Sequence, residues 1–353
     1  MNSAHLSGVK GTADAFIRGF LSLSSSCLAI LCCCPFAGAA VYVENFASNP
    51  SLRSWHAFGQ ANLFQWDSFN ENVNVTWDSS QPNSFFYWNL GTVLTKTDDF
   101  SFSFDLRLKD IQFGASPGRS NTFQIAAGLM NFRSATNSNY YRGAGTSATY
   151  GVKNIVEWDF FPDDGYGATW ATTVVSTNNR WLPAHNFPLE LTPGAFYRIS
   201  VSYTASNQTL VTRATKNGAA YGLPPDNSLQ SLILSSQPDF RLDTFAIMSY
   251  SDTIQIGPTS DWGSILAHGV VDNISISVPA PPLGLLAIKR TNSTPRIEFS
   301  SKTNWQYTLE RTTNLLSWTA ANNPSNGNGS LLSLQDSNSA SAKGFYRIRA
   351  ERP

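Results

Sequence analysis

Phe100-Ser101-Phe102-Ser103-Phe104-Asp105-Leu106-Arg107-Leu108 alternates apolar and polar residues over nine positions. Successive side chains of a strand project to opposite faces, so this run predicts one face of Phe and Leu for a core and one polar face. The same period of two runs through residues 41–46, 72–77, 197–203 and 273–278. Clusters of Asn, Gly, Pro and Ser separate these runs, among them Lys216-Asn217-Gly218, whose Asn-Gly pair is a strong hairpin-turn signal. Residues 41–279 show no long amphipathic helical pattern, so the expectation is an all-β sandwich or barrel.

Working outward, the first 39 residues read as a signal peptide. Lys10 and Arg18 form a positive start, residues 19–40 carry no charge, and Ala37-Gly38-Ala39 ends the segment in the small-x-small pattern that signal peptidases cleave. An uncleaved anchor helix is the alternative, against which the serines and a proline of this run argue. Cys27, Cys32, Cys33 and Cys34 all lie in this segment, so the mature chain has no thiol and must be held by core packing without disulfides. The expected location is therefore extracellular or the cell surface.

Charge narrows the partners. The chain has 24 basic and 24 acidic residues, and charged residues make up only 14% of it, against about 25% in ordinary soluble domains. No basic run interleaves with aromatics, which argues against nucleic acid and anionic membrane surfaces. A surface rich in Ser, Thr and Asn suits neutral ligands such as glycans.

Val278-Pro279-Ala280-Pro281-Pro282-Leu283-Gly284 cannot form a central strand, and residues 280–284 are expected to be a stiff linker. Beyond it, residues 285–353 show strands at 296–299, 305–310 and 344–349 with a Gly/Asn/Ser loop over 322–330, the pattern of a second, small β module.

The segment with most chemistry is Asn154-Ile155-Val156-Glu157-Trp158-Asp159-Phe160-Phe161-Pro162-Asp163-Asp164-Gly165. On a strand Glu157 and Asp159 share one face and Val156, Trp158 and Phe160 the other. Two carboxylates on one face of an apolar strand each need water, a partner or a ligand. This segment resembles the E-x-D strand of the concanavalin A-like lectin and glucanase superfamily. The resemblance implies a jelly-roll β-sandwich over residues 41–279, curved around a glycan cleft. In the retaining glucanases of that superfamily the first Glu is the nucleophile, the Asp supports it, and a second Glu two or three residues later is the acid/base. Here Phe161 and Pro162 stand at those positions and can do neither job; retention requires two carboxyls about 5–5.5 Å apart. Expected, then, is a binding site without catalysis, formed by Glu157, Asp159, Phe161, Trp88 and Trp170. A structural role for the two acids, bonding to neighbouring strands, stands equally beside it. If the protein is an enzyme, Glu157 and Asp159 would act with Asp163 or Asp164.

The same resemblance implies neighbouring first and last strands, where some members hold a structural calcium; Glu44 or Asn45 with Asp272 would supply oxygens. Calcium takes six to eight oxygens, so two acids leave a capped turn at 267–274 the favoured account. Isolated His56, His185 and His268 do not suggest zinc. Trp55, Trp66, Trp77 and Trp88 recur every eleven residues without repeating flanks, which favours core rings over a sugar-stacking row. Phe85-Phe86-Tyr87-Trp88 and Tyr140-Tyr141 put rings on both strand faces. The C-terminal module, with 305–318 and the closing 344–349, resembles a fibronectin-like accessory ending exported proteins of Verrucomicrobia. Three functional readings follow: a secreted, non-catalytic carbohydrate-binding or adhesion protein, a glycoside hydrolase with an atypical acid, or a structural surface protein without a small ligand. The oligomeric state is not legible.

Overall fold

The computed structural model describes residues 40–113, 125–161, 168–251, 265–280, 282–283, 286–291, 294–336 and 344–352. The signal segment, Asp163 and Asp164 lie outside the described residues. The chain divides into two compact units, Ala39–Pro279 and the part from Ala280 to Pro353.

The first unit is almost entirely strand. In chain order it holds β1 (Ala40–Glu44), β2 (Trp55–Phe58), β3 (Phe64–Asp67), β4 (Asn72–Asp78), β5 (Ser84–Leu94) and β6 (Phe100–Phe113). Next come β7 (Ile125–Met130), a single helical turn α1 (Phe132–Ala135), β8 (Ile155–Phe161), β9 (Thr169–Val175), β10 (Trp181–Asn186) and β11 (Tyr197–Thr204). The series ends with β12 (Thr209–Lys216), β13 (Ala219–Ala220), β14 (Leu232–Ile233), β15 (Leu242–Ser249) and β16 (Ile265–Val278). One sheet runs β13-β12-β11-β6-β16-β4-β3, with β1 added on β16 and β14 on β12; the other runs β10-β9-β8-β7-β15-β5-β2. All pairings are antiparallel, and most neighbours are distant in sequence. This is the jelly-roll sandwich, and its first and last strands lie side by side, with Ala40 opposite Val278 and Glu44 opposite Ile274.

The alternation quoted at the outset does what strand geometry requires. Phe100, Phe102, Phe104, Leu106 and Leu108 are buried in the intersheet core with Val156, Trp158, Phe160, Ile199 and Val201. The four evenly spaced tryptophans also belong there: Trp55 and Trp77 are buried, while Trp66 and Trp88 pack against the same core. Asn217 and Gly218 both take positive φ, 52° and 84°, as a two-residue turn between strands of natural twist demands. Residues 267–274 form no turn but the middle of β16, where the register shifts between Asp272 and Ser275. Asn273, at φ 47°, absorbs that bulge, and its side chain reaches Asp105 Oδ2 at 2.8 Å.

A second apolar cluster lies on the outer face of the β7–β8–β15 sheet. Phe85, Ala126, Met130, Ile155, Ala246, Met248 and Tyr250 meet Ala135, Tyr140 and Val152, which come from the 131–154 connection. That connection is tied shut by Asn131 N–H to Asn154 O (2.9 Å) and Tyr141 N–H to Tyr150 O (2.8 Å). It carries enough apolar surface to cover the sheet, which is why a face expected to be open is closed.

The C-terminal unit contains β17 (Leu286–Thr291), β18 (Thr294–Ser300), β19 (Gln306–Thr312), β20 (Thr319–Ala320), β21 (Ser325–Asn326), β22 (Leu331–Gln335) and β23 (Phe345–Glu351). They form a β17-β18-β22 sheet and a second sheet in which β19 pairs β20, β21 and β23. Ile297, Phe299, Trp305, Tyr307, Leu309, Ala321, Leu334 and Ile348 are the buried apolar residues among those described in it. The expected 322–330 loop contains the two-residue β21, because Asn326 pairs with Gln306.

Candidate functional site

Strand β8 crosses the middle of its sheet between β7 and β9, so both faces of it are available for burial. Val156, Trp158 and Phe160 enter the core, and Glu157 and Asp159 project to the outer face as alternation requires. Both acids have 0% exposure. An ionised carboxylate in such a position needs a buried counterion, and Arg142 from the covering connection supplies it. Its Nε donates to Glu157 Oε1 at 2.7 Å and its Nη2 to Asp159 Oδ2 at 3.2 Å. Tyr250 Oη donates to Glu157 Oε2 at 2.5 Å, and the Arg142 guanidinium lies 5.7 Å from the Tyr250 ring centroid. Close approach of β7 is part of the design. A Cβ on Gly128 would sit 2.5 Å from Glu157 Cα and 2.5 Å from Val156 O, so only glycine allows β7 this near Glu157.

The cluster holds one cation and two carboxyls, and the imbalance falls on Asp159. Burial pushes its carboxyl up to about 7; the Arg142 charge opposes the rise and the Glu157 charge adds to it. Thr173 lies near enough to favour the ionised form, yet Asp159 Oδ1 has no partner in hydrogen-bonding geometry. Burial, then the Glu157 charge, also raises the Tyr140 and Tyr250 phenols. For Arg142, burial works against its charge, but the two carboxylates more than compensate and hold it protonated.

These facts correct the surface cleft expected at Glu157 and Asp159. Both carboxyls are closed under residues 131–154 and spent on Arg142 and Tyr250, so neither faces a ligand in this structure. Trp170 is 1% exposed and packs among Trp158, Tyr197 and Tyr221 in the core, because it shares the inward phase of β9 with Thr172 and Val174. Trp88 is half-buried at the sandwich edge, its ring 4.4 Å from that of Tyr42. Tyr140 is buried, whereas Phe161, partly exposed like Tyr87 and Tyr141, borders an open region.

That region is the outer face at the β10 edge, which residues 131–154 leave uncovered. Trp181, Pro183 and His185 point outwards there, and Trp181 is 44% exposed. The His185 ring lies 5.9 Å from Trp181 and 6.4 Å from Phe161. Burial of one side, then the Arg142 charge, lowers the His185 pKa, which keeps the imidazole neutral near pH 7. The β10 aromatics escaped sequence reading because Trp181-Leu182-Pro183-Ala184-His185-Asn186 contains a proline and alternates weakly. Arg142 escaped because nothing local marks it; the signal was the uncompensated charge on β8.

The implied calcium site does not fit. Glu44 Oε1 accepts from Phe46 N at 2.6 Å and pairs with Arg53 at 2.7 Å, while Oε2 accepts from Trp55 Nε1 at 3.1 Å. A carboxylate held by an arginine and two N–H groups is already charge-compensated and has most of its lone pairs committed, which makes it a poor ligand for a cation. Asn45 spends its side-chain oxygen on Ala47 N, and Asp272 binds Asn273 through both oxygens. Among the described residues no three His, Cys, Asp or Glu side chains gather as metal ligands would.

No protein-family model matches the chain, and no curated protein matches it. Solved structures similar to it are legume lectins of the concanavalin A-like fold. Peanut lectin with a nonamer peptide is 15% identical, covering 69% of this chain and all of that one, with a TM-score of 0.41. The lectin UEA-II in complex with galactose is 10% identical at 69% and 100% coverage, TM-score 0.43. A legume lectin-like domain from Entamoeba histolytica is 10% identical at 67% and 95% coverage, TM-score 0.40.

Proposed function

We propose that the sandwich is a non-catalytic carbohydrate-binding unit of an exported or cell-surface protein, and that a saccharide stacks on the Trp181–His185–Phe161 shelf. The observation that carries this reading is the open row of rings on β10 beside a face otherwise sealed. Pyranose C–H faces favour flat aromatic surfaces, and a large half-exposed indole is the residue type that anchors such contacts. The non-catalytic part rests on Glu157 and Asp159: an acid pair that is buried and ion-paired cannot attack or protonate a glycosidic bond. Export rests on the N-terminal segment and on a large domain without cysteine.

Affinity electrophoresis of the full chain through gels of neutral glucans and galactans tests the reading. Retardation by at least one polymer is expected, weakened about tenfold in Trp181→Ala, with no reducing ends released. Free migration through every neutral polymer, or equal retardation of the variant, would overturn it.

A further inference from the structure

The connection that seals the outer face has its own open side. Arg133, Ser134, Asn137, Asn139, Gly151 and Lys153 line a hollow of about 510 Å³, within the size range of small-ligand sites, roughly 300–1,000 Å³. Its walls are firmly built. Asn131 Oδ1 accepts from Ser134 N at 3.0 Å and Ser134 Oγ at 2.9 Å, and Asn137 Oδ1 accepts from Asn139 N at 3.0 Å. Gly151, at φ +63°, touches the Asn139 backbone so closely that a Cβ would fall 2.4 Å from Asn139 O. Underneath, Phe132, Tyr140, Tyr150 and Val152 anchor the segment to the sheet, and Arg142 pins it to Glu157 and Asp159.

The lining is one-sided in its chemistry. Among the described residues it presents a guanidinium, an ammonium, two side-chain amides and a hydroxyl, and no carboxylate. Arg133 and Lys153 are exposed. In a neutral chain whose arginines mostly sit in ion pairs, as Arg53, Arg142, Arg198, Arg241, Arg311, Arg347 and Arg349 do, Arg133 and Lys153 have no ion-pair partner among the described residues. A nearby acid, Asp243 of β15, is turned beneath α1, accepting from Phe132 N and Asn131 Nδ2 at 2.8 Å each. Two cations gathered with amide donors, and with no carboxylate beside them among the described residues, match an oxyanion.

We propose that this hollow binds the anionic group of an acidic saccharide, a sulfate ester or a uronate carboxylate. The proposal rests on the carbohydrate reading above and adds a second, charge-selective contact remote in chemistry from the aromatic shelf. Arg133 and Lys153 neutralise the oxyanion, and the Asn137 and Asn139 amides donate to the sugar hydroxyls beside it.

The test is retardation of the full chain in gels containing a sulfated galactan, the same galactan after desulfation, or polygalacturonate. Expected is retardation by an anionic polymer that weakens as salt rises and falls about tenfold, or about 1.4 kcal/mol, in the double variant R133A/K153A. Both positions are exposed, so an unchanged melting temperature verifies the fold, and R133K/K153R should keep most of the binding. Preference for the sulfated galactan assigns a sulfate ester, and preference for polygalacturonate a carboxylate. Equal retardation of the parent and the double variant, or no retardation by either anionic polymer at low salt, overturns the proposal. Trp181→Ala separates the two readings, since its loss of neutral-polymer binding leaves the charged contact intact.

Discussion

Replacing Asp159 by Asn removes one buried charge while keeping the size and shape of the side chain. Its effect should depend on pH in a direction fixed by the structure. In the folded protein burial lifts the Asp159 carboxyl from an ordinary 3.8 to about 7. Unfolded, it returns to the ordinary value, so between these limits the folded state holds a proton that the unfolded state has lost. Stability then falls as pH rises, by up to about 1.4 kcal/mol per pH unit, and the whole interval amounts to about 4 kcal/mol. The contribution is fully present below pH 4, gone above pH 7, and flat beyond. Asp243 and Asp272 are also raised, first by burial, and push the same way, so the informative quantity is the difference between parent and variant. Asp67 is held at about 2 by its bonds to Asn70, and its stabilising effect is lost only below pH 4. Urea unfolding at pH 4.5, 5.5, 6.5 and 7.5, followed by tryptophan fluorescence, reads the slope. With a urea dependence of about 2–3 kcal/mol per molar, the variant's midpoint should gain about 1.5 M on the parent's across this series. A parent whose midpoint does not fall between pH 4.5 and 7.5, or a variant whose profile runs parallel to it, would refute the reasoning.

Arg142→Met should cost about 3–5 kcal/mol near neutral pH, because it strands Glu157 and Asp159 without their counterion; a loss below about 1 kcal/mol by the same assay would mean that the carboxyls find water. The loss should shrink at pH 4.5, where Asp159 is protonated. Gly128→Ala places a methyl 2.5 Å from the Glu157 backbone and should destabilise by more than about 2 kcal/mol, seen as a lowered melting temperature; an unchanged melt would show that β7 and β8 separate readily. Trp181→Ala and R133A/K153A should leave the melting temperature unchanged while weakening neutral and acidic polymer binding, respectively, as gel retardation reports.

The difference between what was legible and what was not follows a physical line. Strand β6 and its neighbours were readable because a sheet with one face against a core writes its burial into every second residue, and no distant residue is needed to decode it. The Pro-rich break before Leu283 was readable for a similar reason, since proline lacks the donor that a central strand requires. Glu157 and Asp159 were readable as an anomaly: the residues themselves state that two charges share a face. What they cannot state is the answer to that charge, because the answer is a single arginine in a Gly- and Ser-rich connection fifteen residues before Glu157. An open cleft and a sealed ion cluster place the same demand on β8 and differ only in what lies over it.

That distinction also decides where function resides. A carboxylate pair that waits for a sugar must be wetted and unspent, and its neighbours on β7 and β15 should be polar. Here the neighbours are Ala126, Met130, Ala246 and Met248, all buried, and a ligand would have to displace an aromatic and aliphatic lid as well as an arginine. Breaking that pairing alone leaves buried charges at a cost of several kcal/mol, more than one saccharide ring regains by stacking, roughly 1–2 kcal/mol. The balance therefore holds residues 131–154 on the sheet and leaves the rings at the β10 edge and the cations on the lid as the places where the proposed contacts are made. In the proposed reading the acids of β8 act through Arg142: they fix the connection that carries Arg133 and Lys153, so Arg142→Met should weaken acidic-polymer retardation even at temperatures where the sandwich remains folded.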